Sequence, residues 1–494
     1  MYVMDIKNIK LPEIVLPDNK EVAIFGTKEL GSKYFEQIEK KYGNKKICFF
    51  IDSNNTEKFF HQKKVIRPVE LAEDEHKNER YYIIASASKI LIMENILLSY
   101  GINKEYIIEP VKRCSVEFLK DCMKSIKKIA FYPVVTTEEQ LRNLINKVLF
   151  YWDDINFSDI QITFFSSKKY NYNKNYKFKI KIISNCKSIE MYDAILVWDK
   201  EVLYSKELAE IRDGVYCIDE HLVEFQDTKM FAAINNKILG KKQINKYMHI
   251  SKSNWETIEQ YANKKEMAYV FGTGPSMGGW VKKHSKGYFD NSITIVCNAF
   301  HNNLNIIDII NPDLYVISDP YFFAPKLSEA LNNIIYIIKN SKCILVLPSM
   351  YLHFVYYKYN LDKNKIIGLE FFSKEIIFPK KDKLEVYNSM NVITSFSLPI
   401  ASSLCNKIGI VGCDGRDGNF KLQHSKYIIG DESKNFENHE KDIDPDKSRV
   451  FYYEHCTYWE KIILFGESLG KKYYSLTSSY IPALKERYNK FISS

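Results

Sequence analysis

Short, uninterrupted apolar runs, each ending on a glycine or polar residue, recur along the chain in three groups. The first comprises Glu21-Val-Ala-Ile-Phe25, Ile47-Cys-Phe-Phe-Ile51 and Tyr81-Tyr-Ile-Ile-Ala85. Runs of this length without period-two alternation predict strands buried on both faces, as in parallel sheets. Gly26-Thr-Lys-Glu-Leu-Gly31 predicts a turn and Tyr34 to Tyr42 a helix, so residues 1–112 read as a doubly wound half-sheet with helical stretches between its strands. Asp52 closes the second strand, where a Rossmann unit places a ribose-binding carboxylate. The turn, however, is G-x-x-x-x-G and not G-x-G-x-x-G, which leaves an accessory α/β domain and a nucleotide site both open.

The second group spans residues 113–253. Strands are expected at Lys128 to Tyr132, Gln161 to Phe165, Lys177 to Ile183 and Ala194 to Trp198, with a helix over Glu138 to Phe150. Between Asp159 and Glu190 lie Lys168, Lys169, Lys174, Lys177, Lys179, Lys181 and Lys187, interleaved with Tyr170, Tyr172 and Tyr176, and no acidic residue. Two readings stand: a solvated hairpin whose lysines discourage edge pairing, or a contact with anionic lipid or glycan, at about 1 kcal/mol per lysine near a charged membrane.

The third group, residues 254–494, carries the candidate chemistry. The strand Met267 to Phe271 runs into Gly272-Thr-Gly-Pro-Ser276, where glycines allow close approach of a ligand and Ser276 offers a hydroxyl and a helix-start amide to a phosphate. The same residues also suit a plain strand-to-helix turn. Ser292 to Cys297 ends on Asn298, and Asp313 to Ile317 ends on Ser318-Asp319-Pro320. Asn298 and Asp319 each read as a turn former or as a nucleotide contact. Three polar strand ends in series point to a ligand at the carboxyl edge of a parallel sheet. Asn391-Val-Ile-Thr394-Ser395 precedes a small apolar helix, and Lys407 to Val411 predicts a buried strand ending in Gly412-Cys-Asp414-Gly-Arg416-Asp-Gly418. A polar stretch follows, long enough for a lid. Tyr452-Tyr-Glu-His455 is then expected to open a helix running from Cys456 to Leu469.

Composition narrows the class. The 494 residues are 46% apolar and 27% charged, which excludes collagenous, disulfide-stapled and wholly disordered chains and suits two to four domains. A net charge of +9 over this length does not point to nucleic acid. Ten cysteines without C-x-x-C or metal-ligand spacing read as buried thiols in a reducing compartment. With no apolar core in residues 1–20 and no bilayer-length apolar run, a cytoplasmic protein is expected.

The order G-x-G-P-S, C-N-x-F, a strand ending in x-P, I-T-S, a strand ending G-x-D, and a His opening a helix that runs into Tyr474-Ser-Leu476 resembles the bacterial sialyltransferases of glycosyltransferase family forty-two. The resemblance covers most of the last 240 or so residues. It implies a GT-A-like catalytic domain on a single Rossmann-like sheet, and inverting transfer of a CMP-activated acidic sugar to a glycan or glycolipid acceptor, without metal or cofactor. Carried over position by position, Gly272, Gly274, Pro275 and Ser276 would hold the donor phosphate, and Asn298 would read cytidine or ribose. Asp319, Thr394, Ser395, Gly412 and Asp414 would line the donor site, and His455 would be the general base. An imidazole with an ordinary pKa near 6.5 suits that task, and a helix N-terminus would favour its neutral form.

The departures are Thr273 between the glycines, Asp319 before Pro320, and Arg416 where the family places a phosphate-steadying tyrosine; a cation there would serve the same charge. They allow a related nonulosonic acid or Kdo as donor sugar. The N-terminal stretch resembles the small Rossmann-like modules attached to bacterial sugar-modifying enzymes. Pro312 to Asp319 and the G-x-G-P-S turn also resemble the pterin-pyrophosphokinase-like and flagellin glycosyltransferase group, whose kinase chemistry would make Asp319 and Asp414 Mg²⁺ ligands. A non-catalytic scaffold of polysaccharide assembly is the reading from another class. Association with the inner face of the membrane, homo-oligomerisation and a role in capsule or lipopolysaccharide synthesis complete the expectations. The final stretch, Pro482 to Ile492, reads as a packed or membrane-touching helix.

Overall fold

Three sheets, each begun by an interior strand, account for the three groups of apolar runs. The computed structural model describes residues 13–16, 20–53, 57–85, 90–108, 126–152, 160–166, 170, 179–183, 189–198, 215–217, 225–373, 375–389, 391–416 and 445–488. The fold is mixed α/β and divides into two compact units, Met1–Ile238 and Leu239–Ser494. The expected boundary at residue 253/254 lies inside a helical stretch, Phe225–Ala262, that breaks instead at Gly240 (φ 72°). Residues beyond the break pack with the third sheet: Ser251 Oγ accepts from Gly368 N (3.0 Å), and Tyr247 lies edge-on to His353.

In the first sheet β1 (Val22–Phe25) lies between β2 (Ile47–Ile51) and β5 (Tyr81–Ile84), flanked by β3 (Phe59–Phe60), β4 (Lys63–Ile66) and β6 (Ile107–Ile108) in the order β3-β4-β2-β1-β5-β6. All pairs are parallel except β3 with β4. That antiparallel pair, with short 3₁₀ turns, stands where a helix is expected between β2 and β5. Its turn is His61-Gln62, both at positive φ (47° and 61°), a hairpin geometry that no Asn-Gly signal announces. Helix α1 (Glu29–Tyr42) starts five residues earlier than expected, so Gly31 lies in its first turn; a Cβ there would fall 2.1 Å from Gly26 O. Asp52 Oδ2 accepts from Thr27 N (3.1 Å) and Oγ1 (2.6 Å), closing the turn after β1.

The second sheet holds β7 (Lys128–Val135), β8 (Gln161–Ser166), β9 (Lys179–Ile183), β10 (Ala194–Val197) and β11 (Val215–Cys217) in the order β11-β10-β7-β8-β9, all parallel. Strands β8 and β9 are therefore not a hairpin; parallel neighbours need a crossover, and periodicity alone does not fix strand direction. Lys179 and Lys181 lie on the edge strand β9, while Lys168, Lys169, Lys174, Lys177 and Lys187 are outside the described residues. Helix α2 (Glu138–Trp152) buries Leu141, Leu144, Ile145, Val148 and Trp152, a stripe at helical spacing.

The third sheet has eight parallel strands: β12 (Met267–Phe271), β13 (Ser292–Cys297), β14 (Leu314–Val316), β15 (Ile344–Pro348), β16 (Ile366–Ser373), β17 (Glu385–Tyr387), β18 (Lys407–Val411) and β19 (Lys472–Ser475). Their order is β17-β16-β15-β14-β13-β12-β18-β19. The chain builds outward from β12 through β17, then returns to the other side of β12 with β18. The core runs through the buried residues of β12, β13, β16 and β18 to Trp255, Phe396 and Trp459.

At the amino end of β14, buried Asp313 accepts from Thr294 N (2.9 Å) and Thr294 Oγ1 (3.0 Å), and pairs with Lys342 Nζ (2.7 Å). Removing one member of such a set strands the others. Asp313→Ala is expected to cost about 3 kcal/mol in urea unfolding; a loss below 1 kcal/mol would show that solvent replaces the carboxylate.

Of the helix expected over Pro482 to Ile492, the described residues form a single four-residue turn, Pro482–Lys485, with Ala483 and Leu484 buried, and residues 489–492 are outside the described residues. Arg487 Nε and Nη2 each donate to a Glu467 carboxylate oxygen at 2.8 Å. No helix among the described residues is long and apolar enough to cross a membrane.

Candidate functional site

The order of the third sheet reverses between β12 and β18, and in parallel sheets the crevice beyond the strand ends at such a point is where ligands bind. The loops leaving these strands are Gly272–Ser276 and Gly412–Arg416, and they are bonded to each other. Gly272 N donates to Val411 O and Gly274 N to Gly412 O, both at 2.8 Å. A Cβ on Gly272 would lie 2.6 Å from Gly412 O, one on Gly274 2.0 Å from Asp414 Oδ2, and one on Gly412 2.4 Å from Met277 Cβ. The segment after β19 pins the second loop from behind. Gly412 N donates to Thr477 Oγ1 (2.9 Å), Ser479 Oγ to Cys413 O (2.7 Å) and Tyr480 N to Asp414 O (2.6 Å).

Asp414 fills the position expected for a phosphate. Its Oδ2 accepts from Ser276 Oγ (2.9 Å) and, with Oδ1, from Ser276 N (3.3–3.4 Å), at the start of helix α3 (Pro275–Val281). Burial raises the Asp414 carboxyl above its ordinary value, with the Ser276 bonds opposing the shift. Gly274, Pro275 and Ser276 thus shape the loop and cap a carboxylate of the chain itself; the glycines make room for the opposite backbone.

Asn298 has the attributes of a ligand contact. It follows β13 at φ 49°, in the left-handed region, and its Oδ1 is buried with no hydrogen-bond partner. Its carbonyl is held by the Tyr315 hydroxyl and by His301 Nδ1 (3.3 Å), which fixes the backbone that carries the amide. An orphaned amide oxygen costs about 1–3 kcal/mol unless something satisfies it. Asp319 Oδ1 instead accepts from Tyr321 N (3.0 Å), capping a 3₁₀ turn.

Thr394 and Ser395 are buried in a π-helical turn, Ile393–Ser397. Their hydroxyls bond Ser389 Oγ at 2.5 and 3.0 Å. Such turns recur at functional sites, and this one packs against both β13 and the helix that bears His455.

That helix, α4 (Pro445–Ser468), begins ten residues before His455. The expectation that His455 opens a helix is therefore corrected: it lies about three turns inside, beyond reach of the N-terminal dipole. Its neutral form has another cause. Burial, and secondarily the positive charge of Arg416, push the imidazole down to about 4. Nε2 accepts from the indole Nε1 of fully buried Trp459 (2.9 Å), while Nδ1 is buried without a partner. Tyr452, one turn earlier, accepts from Arg416 N at its hydroxyl (3.1 Å), tying the helix to the β18 loop. The structure therefore gathers Arg416, Tyr452, His455 and Trp459. Sequence reasoning missed the roles of Tyr452 and Trp459, although their spacing from His455 (i−3, i+4) places all three on one helical face.

An open depression of about 490 Å³ lies at the amino end of β19, lined by Glu467, Lys471, Lys472, Tyr473, Tyr474, Glu486 and Arg487, away from these loops. Asp417 and residues 418–444, including Lys421, His424 and Lys426, are outside the described residues. No group of three His, Cys, Asp or Glu side chains among the described residues is placed to hold a metal. The chain matches no protein-family model, no curated protein and no solved structure.

Proposed function

We propose that the Leu239–Ser494 unit is an inverting glycosyltransferase with a GT-A-like single-sheet catalytic domain, moving a CMP-activated acidic sugar to a cell-surface glycan acceptor. The observation that carries this reading is a pair of buried polar atoms without partners, Asn298 Oδ1, on the residue directly after β13, and His455 Nδ1, on α4, where β13 and α4 both pack against the π-helical turn. An amide oxygen accepts from a cytosine amine or a ribose hydroxyl, which is the chemistry a cytidine nucleotide offers.

Arg416 supplies positive charge for the phosphate as its bond to the anomeric carbon breaks, a role that the carboxylate-capped glycine turn cannot fill. His455 is the candidate base for the attacking acceptor hydroxyl. The hydroxyl oxygen bonds the anomeric carbon while CMP leaves with the electron pair, and the hydroxyl proton passes to the imidazole. Donor and acceptor are thus the partners of this reading, and it requires no cofactor.

A thermal-shift screen of the full chain tests it. CMP or CDP at about 100 times Kd should add about 2.7 kcal/mol, UDP, GDP and ATP should add little, and Asn298→Ala should erase the gain. Equal stabilisation by all five nucleotides, or by none, would sink the reading.

A further inference from the structure

The side chain of Trp459 has one polar group, the indole N–H, and it only donates. Set 2.9 Å from His455 Nε2, it requires that nitrogen to present its lone pair. The alternative ring orientation would put an imidazole C–H against the indole N–H, so the hydrogen bond itself selects the observed orientation. A neutral imidazole carries one ring proton, and with Nε2 accepting, that proton must be on Nδ1.

We propose that Trp459 is a positioning residue that fixes His455 in its Nδ1–H tautomer, so that the substrate-free protein presents a hydrogen-bond donor at Nδ1 and holds the basic nitrogen behind the indole. The orphaned Nδ1 is then a donor awaiting an acceptor oxygen, such as that of a phosphate, carboxylate or sugar hydroxyl. Proton abstraction needs a free imidazole lone pair, which exists only at Nε2. The Trp459 bond must therefore break before an acceptor hydroxyl can deliver its proton there, after which both ring nitrogens carry hydrogen. Only this catalytic consequence rests on the glycosyltransferase reading; the tautomer does not.

The experiment is ¹⁵N NMR of histidine- and tryptophan-labelled full-length protein without ligand, with the His455 signals assigned by their loss in His455→Gln. Expected are a pyrrole-type Nδ1, a pyridine-type Nε2, and a ¹⁵N–¹⁵N coupling across the hydrogen bond to the Trp459 indole. In Trp459→Phe the imidazole should move toward Nε2–H, the form an unconstrained ring prefers. A protonated Nε2 or an absent coupling in the wild-type protein overturns the proposal, as does an unchanged tautomer in a folded Trp459→Phe. If that variant does not fold, the wild-type coupling decides alone. Because no nucleotide is present, this outcome is independent of the thermal-shift screen.

Discussion

Gly412→Ala is expected to destabilise the C-terminal unit by about 3 kcal/mol, combining an L-residue in the left-handed region with overpacking against backbone. Gly412 has φ 69°, and the new methyl would meet Met277 Cβ at 2.4 Å and Gly272 O at 2.7 Å. Neither neighbour can swing aside, because Gly272 and Gly274 are themselves bonded to the β18 loop. Denaturant unfolding followed through tryptophan fluorescence measures the loss. Gly279→Ala is the control: its Cβ would meet nothing within 4 Å inside α3, so stability should hold or rise slightly. Equal losses in the two variants would show that the interlocked loops are not what makes Gly412 necessary.

On the proposed glycosyltransferase reading, His455→Gln should lower CMP release from a CMP-sialic acid donor in the presence of acceptor by 10²- to 10⁴-fold, the range typical of a lost general base. Unchanged turnover would remove His455 from the mechanism. The same variant has a pH signature in stability. His455 is held at about 4 in the folded protein against an ordinary value of 6.5, so between these limits the unfolded chain binds a proton that the folded one refuses. Its contribution is complete above pH 6.5 and declines as pH falls through 4. His455→Gln should therefore flatten part of the acid limb of a stability–pH curve; an unaltered slope would mean that the imidazole is already accessible to solvent protons. His353, buried and held at about 3, contributes a parallel slope that this substitution leaves in place.

Most strands of the fold are legible in the sequence because a strand buried on both faces must be written as an uninterrupted apolar run, and Met267–Phe271 and Lys407–Val411 are such runs. The relation between them is not legible. That β18 returns beside β12, placing Gly412 against Gly272, depends on pairing across about 140 residues, which no local pattern encodes. Gly272-Thr-Gly-Pro-Ser276 consequently looks like a phosphate cradle, while its glycines accommodate a neighbouring backbone and its serine holds Asp414. The direction of β9 is hidden for a similar reason, since lysines at a sheet edge look alike in either orientation. His455 illustrates the opposite case. Its residue type and helix are readable, but Pro445 starts that helix three turns early, so the agent of its neutrality changes from a helix dipole to burial beside Arg416.

The carboxylate of Asp414 on Ser276 gives the two loops a shared fate over evolutionary time. A side chain larger than hydrogen at position 274 collides with Asp414, and a loop that loses Asp414 leaves Ser276 uncapped. Positions 272, 274, 276, 412 and 414 can therefore drift only together, so chains sharing this architecture should vary there in concert.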